Sequence, residues 1–178
     1  MSRNHVTYRL LTKDCLTDCA DVILKAFRPV SDRFGIQETA GAAQLTLQLQ
    51  ESLDKGERLY GCFLEERQIG CFLLSEQEQG VFEISKLCVL PAWQGQGYGS
   101  TILDTALETI RVMGGVGAVC AIIYEYDLLR TWLLRRGFFE TFTGMLSGMS
   151  CSICLMQKEL PLGGCENGCE SCGGQNVL

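Results

Sequence analysis

The chain has 178 residues, of which 47% are hydrophobic, so it can bury the core of one ordinary domain and is not mainly disordered. Its 21 acidic residues outnumber its 15 lysines and arginines and give a formal net charge of −6. Because a protein that binds a phosphate backbone normally carries a basic stripe, and the basic residues here are scattered, we expect no nucleic-acid partner.

Apolar periodicity predicts the element order βααβββαβαββ. Helices are indicated where apolar residues recur every three or four positions and glycine or proline follows. Arg28-Pro29 is predicted to end the first helix, because proline lacks the N–H that the helix needs. In chain order the predicted elements are strand 6–12, helix 17–28, an irregular connection 28–38, helix 39–55, strands 58–65, 68–75 and 81–90, helix 100–113, strand 118–124, helix 127–136, and strands 138–146 and 151–159.

The connections predict how the strands pair. Glu66-Arg67 and the segment 77–80 are short enough for antiparallel hairpins, whereas a helix between two later strands predicts a parallel βαβ crossover. The fold class is therefore α/β (α+β), with a mixed, mostly antiparallel sheet and helices on both faces. We predict one domain over residues 1–160, followed by a Gly/Cys-rich tail over residues 161–178.

The sequence also bears on location. No apolar stretch approaches the roughly 20 residues of a membrane span. The first residues lack the apolar segment of a signal peptide. We therefore expect a cytoplasmic protein that has no membrane partner.

The most informative segment is a glycine-rich turn between a strand and a helix. Gln94-Gly95-Gln96-Gly97-Tyr98-Gly99 follows the strand 81–90, and a helix is predicted to start at Ser100. Backbone N–H groups in such a turn, aided by the helix dipole, form a concave anion site. The spacing excludes a Walker A loop, which needs a lysine, and a dinucleotide fingerprint, whose last glycine is serine here. The alternative is a glycine-rich turn that holds no ligand.

In these residues the sequence resembles the GNAT superfamily of acyl-CoA-dependent N-acetyltransferases. Gln94, Gly97 and Gly99 match in order the family's Gln/Arg-x-x-Gly-x-Gly/Ala loop. The strand before the loop carries Leu-x-Val-x-Pro at 87–91, and a later helix ends in Arg-Gly-Phe at 136–138, as in the family. Together with the order of elements, these matches cover most of the predicted domain.

The resemblance implies that acetyl-CoA is the cosubstrate and that an acetyl group passes directly to a primary amine of a small molecule or peptide. It implies a pyrophosphate on the amides of the turn and a pantetheine arm along the strand edge. As the acceptor, a polyamine, an amino acid or an aminoglycoside suits an acidic chain slightly better than a nucleic acid does. The residues implied to bind the cosubstrate are Leu87, Cys88, Val89, Gln94, Gly95, Gln96, Gly97, Tyr98, Gly99 and Ser100.

Amine acetylation needs a base, because a substrate ammonium has a pKa near ~10 and only the neutral amine attacks a thioester. Glu83 lies on the strand that enters the turn, between Phe82 and Ile84, where burial could raise the pKa of its carboxyl group. It also stands eleven residues before Gln94, where several family members carry a base glutamate. The alternatives are a solvated residue on the strand face or an ion-pair partner for Lys86 or an arginine.

The sequence departs from the family at the position of the general acid. Many family members use a tyrosine four residues before the glycine of the Gly-Phe pair, and Leu133 holds that position here. The family's asparagine near the start of the same helix is replaced by about Tyr126. Tyr124 or Tyr126 could reach the sulfur, or each is simply an aromatic residue at a strand end. A backbone amide near Cys88 or Val89 is the candidate oxyanion donor.

Eleven cysteines is a high and odd count. Six of them (15, 19, 62, 71, 88 and 120) lie in apolar segments and are interpreted as small hydrophobic residues, so no disulfide framework is expected. Cys88 has no neighbouring histidine, which favours an inert buried thiol over an acyl-enzyme nucleophile. Cys165, Cys169 and Cys172 have spacings that a structural zinc site could use, and an unliganded tail is the alternative.

A second hypothesis belongs to a different class of protein. The chain would keep the CoA site, lose catalysis, and act as a binding or sensor protein whose Cys-rich tail has a metal or redox role. The missing tyrosine keeps this hypothesis open. The last two strands could also pair two copies into a homodimer.

Overall fold

Seven strands form one mixed sheet in the computed structural model, which describes residues 6–36, 41–145 and 151–161. The predicted order of strands and helices is confirmed over these residues. The elements are β1 (Val6–Leu10), α1 (Leu16–Phe34), α2 (Ala42–Asp54), β2 (Arg58–Leu64), β3 (Arg67–Glu76), β4 (Val81–Val89), α3 (Tyr98–Val112), β5 (Gly117–Ile123), α4 (Asp127–Arg135), β6 (Phe139–Met145) and β7 (Ser152–Glu159).

The strands lie in the order β1-β2-β3-β4-β5-β7-β6. β4 and β5 run parallel and are connected through α3, and each other neighbouring pair is antiparallel. This arrangement confirms the predicted mixed, mostly antiparallel sheet with a βαβ crossover.

Helices cover both faces of the sheet. On one face α1 and α2 bury Leu16 and Leu49 in a cluster that includes Leu73 of β3. On the other face α3 buries Ile102 and Ile110 in a second cluster with strand residues. Each fully buried Leu or Ile side chain stabilises the fold by roughly 1.5–3 kcal/mol, so these two apolar helix stripes fix which face each helix covers.

The first helix is longer than predicted. It does not end at Arg28-Pro29 but runs through Pro29 to Phe34, and Gly35, with φ of +62°, ends it. A proline inside a helix removes one backbone hydrogen bond. The turn beyond it keeps tertiary contacts, since the rings of Phe34 and Tyr126 lie 5.7 Å apart between centroids. Most of the predicted irregular connection is therefore helix, and α2 begins at Ala42 rather than at residue 39.

The cysteines of the described residues are all free thiols. Cys15 is exposed, contrary to its interpretation as a buried hydrophobic residue, because it directly precedes α1 on its solvent side. The other described cysteines are buried, as expected for small apolar side chains.

Two predictions fall partly beyond the described residues. The tail, with Cys165, Cys169 and Cys172, lies outside them, so the domain boundary at 160 and the zinc hypothesis stay predictions. Among the helices that the structure describes, none is long and apolar enough to cross a membrane.

Candidate functional site

The two parallel strands separate after three register pairs. Val81 to Glu83 of β4 pair with Gly117 to Val119 of β5, although both strands continue beyond these residues. From there on β5 keeps its pairing with β7 as far as Ile123, while its other edge leaves β4. A cavity of about 460 Å³ lies against the diverging parts of the two strands.

The wall of this cavity is mostly apolar. It is formed by α1 and α2 on one side, by β4 and β5 along the sheet, and by α4. Among the described residues that line it, Glu83 and Lys86 are the two charged ones. The lining residues are Ile23, Leu24, Phe27, Ser31, Leu45, Gln48, Glu83, Ile84, Ser85, Lys86, Leu87, Cys120, Ala121, Ile122, Leu129 and Leu133.

A β-bulge interrupts β4 beside the cavity. Ser85 pairs with Leu73 of β3 and Cys88 pairs with Cys71, so two residues of β4 stand opposite one residue of β3. The first of the two is Lys86, whose φ of +53° is rare for a residue with a side chain. Such bulges bend a strand and change the direction of its side chains, often next to active sites.

The glycine-rich turn presents free amides at the start of α3. Gly95 and Gly97 have φ of +73° and +90°, a region that favours glycine. Gly97 also caps the helix, because its carbonyl oxygen accepts hydrogen bonds from the amides of Ser100 and Thr101 at 3.1 and 3.2 Å. Among the described residues, the amides of 95–99 have no backbone acceptor. At the N-terminus of a 15-residue helix, these donors suit an anion.

One contact joins the turn to β4, and two others hold it to the segment 91–93. Gln94 donates from Nε2 to the carbonyl oxygen of Val89 at 2.8 Å. Gln96 donates in the same way to the carbonyl oxygen of Ala92 at 3.0 Å. The ring of Tyr98 packs edge-on against Trp93, with 6.0 Å between centroids. The side chain of Gln94 therefore braces the turn instead of reaching out from it.

Glu83 lies where the two strands part. It is half-buried, pairs with Ser75 of β3 and Val119 of β5, and lines the cavity. Within the described part of the chain it forms no ion pair, so neither Lys86 nor an arginine is its salt-bridge partner there. Burial, followed by the charges of Cys154 and Glu83, raises the pKa of the Cys120 thiol to about 12.

The strand segment 87–89 is divided between the cavity and the core. Leu87 lines the cavity, whereas Cys88 and Val89 are buried. The sulfur of Cys88 lies 3.6 Å from that of Cys71. Hydrogen bonds with Cys19 and Cys88, together with burial, raise the pKa of the Cys71 thiol well above its ordinary value. Cys88 thus belongs to a buried thiol cluster, as the inert interpretation expects.

The rings of the two candidate acids make contacts with other side chains. The ring of Tyr124 packs under the guanidinium of Arg130 at 4.5 Å, and Tyr126 packs against Phe34. Neither tyrosine is among the described residues that line the cavity. Leu133, at the position of the family's tyrosine, does line it and is 1% exposed. The acid role of the two tyrosines stays a prediction that this geometry does not support.

Sequence reasoning missed one wall of the cavity. Phe27 and Ser31 of α1 line it, and the predicted end of the helix at Pro29 separated them. Residues four apart share one helix face, so an unbroken helix would have placed both on the same side. The signal was the apolar Val30 after the proline, which continues the helical pattern.

The fold and this site can be compared with known proteins. The model of the acetyltransferase (GNAT) family matches residues 24–133, well over half of the chain. The chain belongs to the GNAT acetyltransferase family. No curated protein gives a significant match to this GNAT chain.

Solved structures share the fold at low sequence identity. The ribosomal-protein-S18-alanine N-acetyltransferase from Escherichia coli has a TM-score of 0.72 and 11% identity, over 92% of this chain and 98% of its own. A chimera of the spermidine N-acetyltransferase SpeG from Vibrio cholerae and hSSAT has a TM-score of 0.70 and 16% identity, over 86% and 95%. YncA from Salmonella typhimurium, solved with its cofactor acetyl-CoA, has a TM-score of 0.63 and 18% identity, over 87% and 94%.

Proposed function

We propose that the protein is an N-acetyltransferase that moves an acetyl group from acetyl-CoA to a primary amine of a small molecule or peptide by direct transfer. The observation that carries this proposal is that a turn with free backbone amides follows β4 closely and that an opening in the sheet lies along the same strand. The turn begins five residues after β4 ends, and the cavity lies against residues 83–87 of the strand. Membership of the GNAT family supports the same assignment.

The residues of the turn and strand fit acetyl-CoA. The amides of 95–99 lack backbone acceptors among the described residues, and a Cβ built on Gly95 or Gly97 would meet no atom within 4 Å. These amides, with the first turn of α3 at Ser100, would hold the pyrophosphate. Leu87 and the backbone of Cys88 and Val89 would border the pantetheine arm. When bound, acetyl-CoA supplies an acetyl group activated as a thioester.

Glu83 would receive the proton of the acceptor ammonium, directly or through water. Its carboxylate is unpaired among the described residues and stands at the wall of the cavity, where the acceptor has room to approach. Only the neutral amine attacks an acyl carbon. The contribution of the chain is therefore to take up the ammonium proton on Glu83.

Departure of the CoA thiolate needs little assistance from a general acid. A thiol has a pKa near ~8.5, so its conjugate base leaves far more readily than an alkoxide or an amide. Leu133 at the family's tyrosine position is therefore compatible with turnover, at some cost in rate. No observation on the described residues favours the non-catalytic alternative.

Binding of acetyl-CoA can be tested with two glycines that form a matched pair. Gly97 and Gly56 have φ of +90° and +88°, and neither has an atom within 4 Å of a built Cβ. Valine at either position should cost similar stability, on the order of 1–3 kcal/mol. Only Gly97→Val should weaken acetyl-CoA binding, by at least tenfold in calorimetric titration.

Acetyl transfer is then followed by mass spectrometry of an amine panel. Absence of acetyl-CoA binding to the unmodified protein would contradict the assignment. Equal loss of binding in Gly97→Val and Gly56→Val would show that the turn is not the cosubstrate site.

A further inference from the structure

One part of the cavity wall is formed by residues of α1, α2 and β4. We call it the acceptor arm and define it by Leu24, Phe27 and Ser31 of α1, Leu45 and Gln48 of α2, and Glu83 and Lys86 of β4. We propose that this arm binds an α-amino acid with an apolar side chain, its amino group at Glu83 and its carboxylate at Lys86. The inference rests on the proposed function and specifies its acceptor.

The charges of the arm are complementary to a zwitterion. Glu83 and Lys86 are both half-buried, and within the described residues neither forms an ion pair. A charge that is partly removed from water without a partner is costly. An amino acid brings one ammonium and one carboxylate and so pairs both side chains at once. A simple amine would leave Lys86 unpaired.

Both charged residues belong to the same strand segment. Glu83 and Lys86 stand three residues apart on β4, and both line the cavity. A ligand in the cavity therefore has both residues in its wall.

Lys86 lies at a strained position of β4. It is the first residue of the β-bulge, and it lines the cavity together with its neighbours Ser85 and Leu87. A positive φ is strained for a residue other than glycine, and such strain often occurs at functional sites. The chain therefore retains a strained backbone at the position that supplies the only described cation of the cavity wall.

The rest of the arm selects an apolar side chain. Leu24, Phe27 and Leu45 form its helical wall, and Ala121 of β5 is exposed beside them. Burial of an apolar side chain against such a wall favours binding. A polyamine gains little from such a wall, and its second ammonium would lie in a cavity whose other described charge is Lys86. These features distinguish the arm from a polyamine site.

The test compares two acceptors that differ by one carboxylate. L-phenylalanine and phenethylamine share the same apolar body, and spermidine serves as the polyamine. With acetyl-CoA saturating, the unmodified protein should acetylate phenylalanine with a kcat/KM at least tenfold above that for phenethylamine. Lys86→Met should remove most of this preference by raising KM for phenylalanine and leave KM for phenethylamine unchanged. Lys86→Arg, which keeps the charge, should retain the preference.

The possible results distinguish a failure of the amino-acid assignment from a failure of the proposed N-acetyltransferase function. Preferred acetylation of phenethylamine or spermidine overturns the amino-acid assignment and leaves the N-acetyltransferase standing. An unchanged preference in Lys86→Met overturns it as well, as does a tenfold loss of acetyl-CoA affinity in that variant, which would assign Lys86 to the cosubstrate. No acetylation of any amine, together with no acetyl-CoA binding, contradicts the proposed function itself. Thermal melting of each variant confirms that it is folded.

Discussion

Glu83 of β4 and Val119 of β5 form the last register pair that these two parallel strands share. Beyond this pair β4 passes into its bulge, and the free edge of β5 no longer meets it. The separation of the two strands therefore opens the cavity and places the carboxylate of Glu83 at its margin. The half-buried side chain of Glu83 and the space beside it thus arise from the same separation of two strands.

Glu83→Gln should lower turnover without weakening acetyl-CoA binding. The amide keeps the shape of the side chain but cannot accept the ammonium proton, and loss of a general base typically costs 10²–10⁴-fold in rate. Steady-state kinetics with an accepted amine measure the change in kcat, and calorimetric titration measures cosubstrate affinity.

Glu57→Gln is the matched control for that change. Glu57 accepts a hydrogen bond from Ser75, the β3 partner of Glu83, at 3.0 Å, yet it does not line the cavity. Its substitution should leave kcat within twofold. A similar loss in both variants would indicate a general effect on the sheet, and no loss in Glu83→Gln would exclude it as the base.

Leu133→Tyr should speed acetyl transfer. It places a hydroxyl group on the cavity wall at the position where the resemblance to the family implies an acid, and the adjoining cavity gives the larger ring room. We expect kcat about tenfold above that of Leu133→Phe, which adds the ring without the hydroxyl group. Equal rates in the two variants would show that protonation of the thiolate does not limit turnover.

The parts of the site that sequence could predict are those with a local signal. The turn at Gly95 and Gly97 was predictable because positive φ and free amides are properties of consecutive residues. Its flanking strand and helix follow from apolar periodicity, and the helix starts at Tyr98, two residues earlier than predicted. The predicted helix end at Pro29 is wrong. A single missing hydrogen bond does not end a helix whose residues pack against the fold both before and after the proline.

No local sequence signal predicts the cavity. The separation of β4 from β5 depends on long-range pairing of β5 with β7, which alternation along β5 does not specify. The bulge at Lys86 shifts the strand's register by one residue, and a sequence pattern of period two cannot locate that shift. The sequence places Tyr124 and Tyr126 near the end of β5, but it does not predict that their rings pack against Arg130 and Phe34.

Gly70→Ala should destabilise the fold strongly. A Cβ at Gly70 would collide with the carbonyl oxygen of Cys88 on β4, a backbone atom that cannot move aside alone. We expect a loss of more than about 2 kcal/mol in the free energy of unfolding by denaturant titration. Gly117→Ala is the control, because its Cβ would meet only ordinary contacts at 3.5 Å and should change stability by less than about 1 kcal/mol. Equal effects would mean that the approach of β3 to β4 is not tight at Gly70.

Cys120 should make the fold sensitive to alkaline pH. Burial, then Cys154 and Glu83, raise its thiol pKa to about 12, whereas the unfolded chain loses the same proton near ~8.5. Between these two values the folded state binds more protons than the unfolded state, so the free energy of unfolding falls as the pH rises. At lower pH both states are protonated, and this contribution is fully present.

The measurement compares the free energy of unfolding of the unmodified protein and Cys120→Ala from pH 8 to pH 11. Removing one titrating thiol should make the decline shallower by up to about 1.4 kcal/mol per pH unit above pH 9. Other buried thiols, such as Cys62, contribute to both profiles, so the difference between the profiles isolates Cys120. Cys15→Ala, which removes an exposed thiol, controls for the loss of a cysteine as such. Parallel profiles for the unmodified protein and Cys120→Ala would contradict the raised pKa.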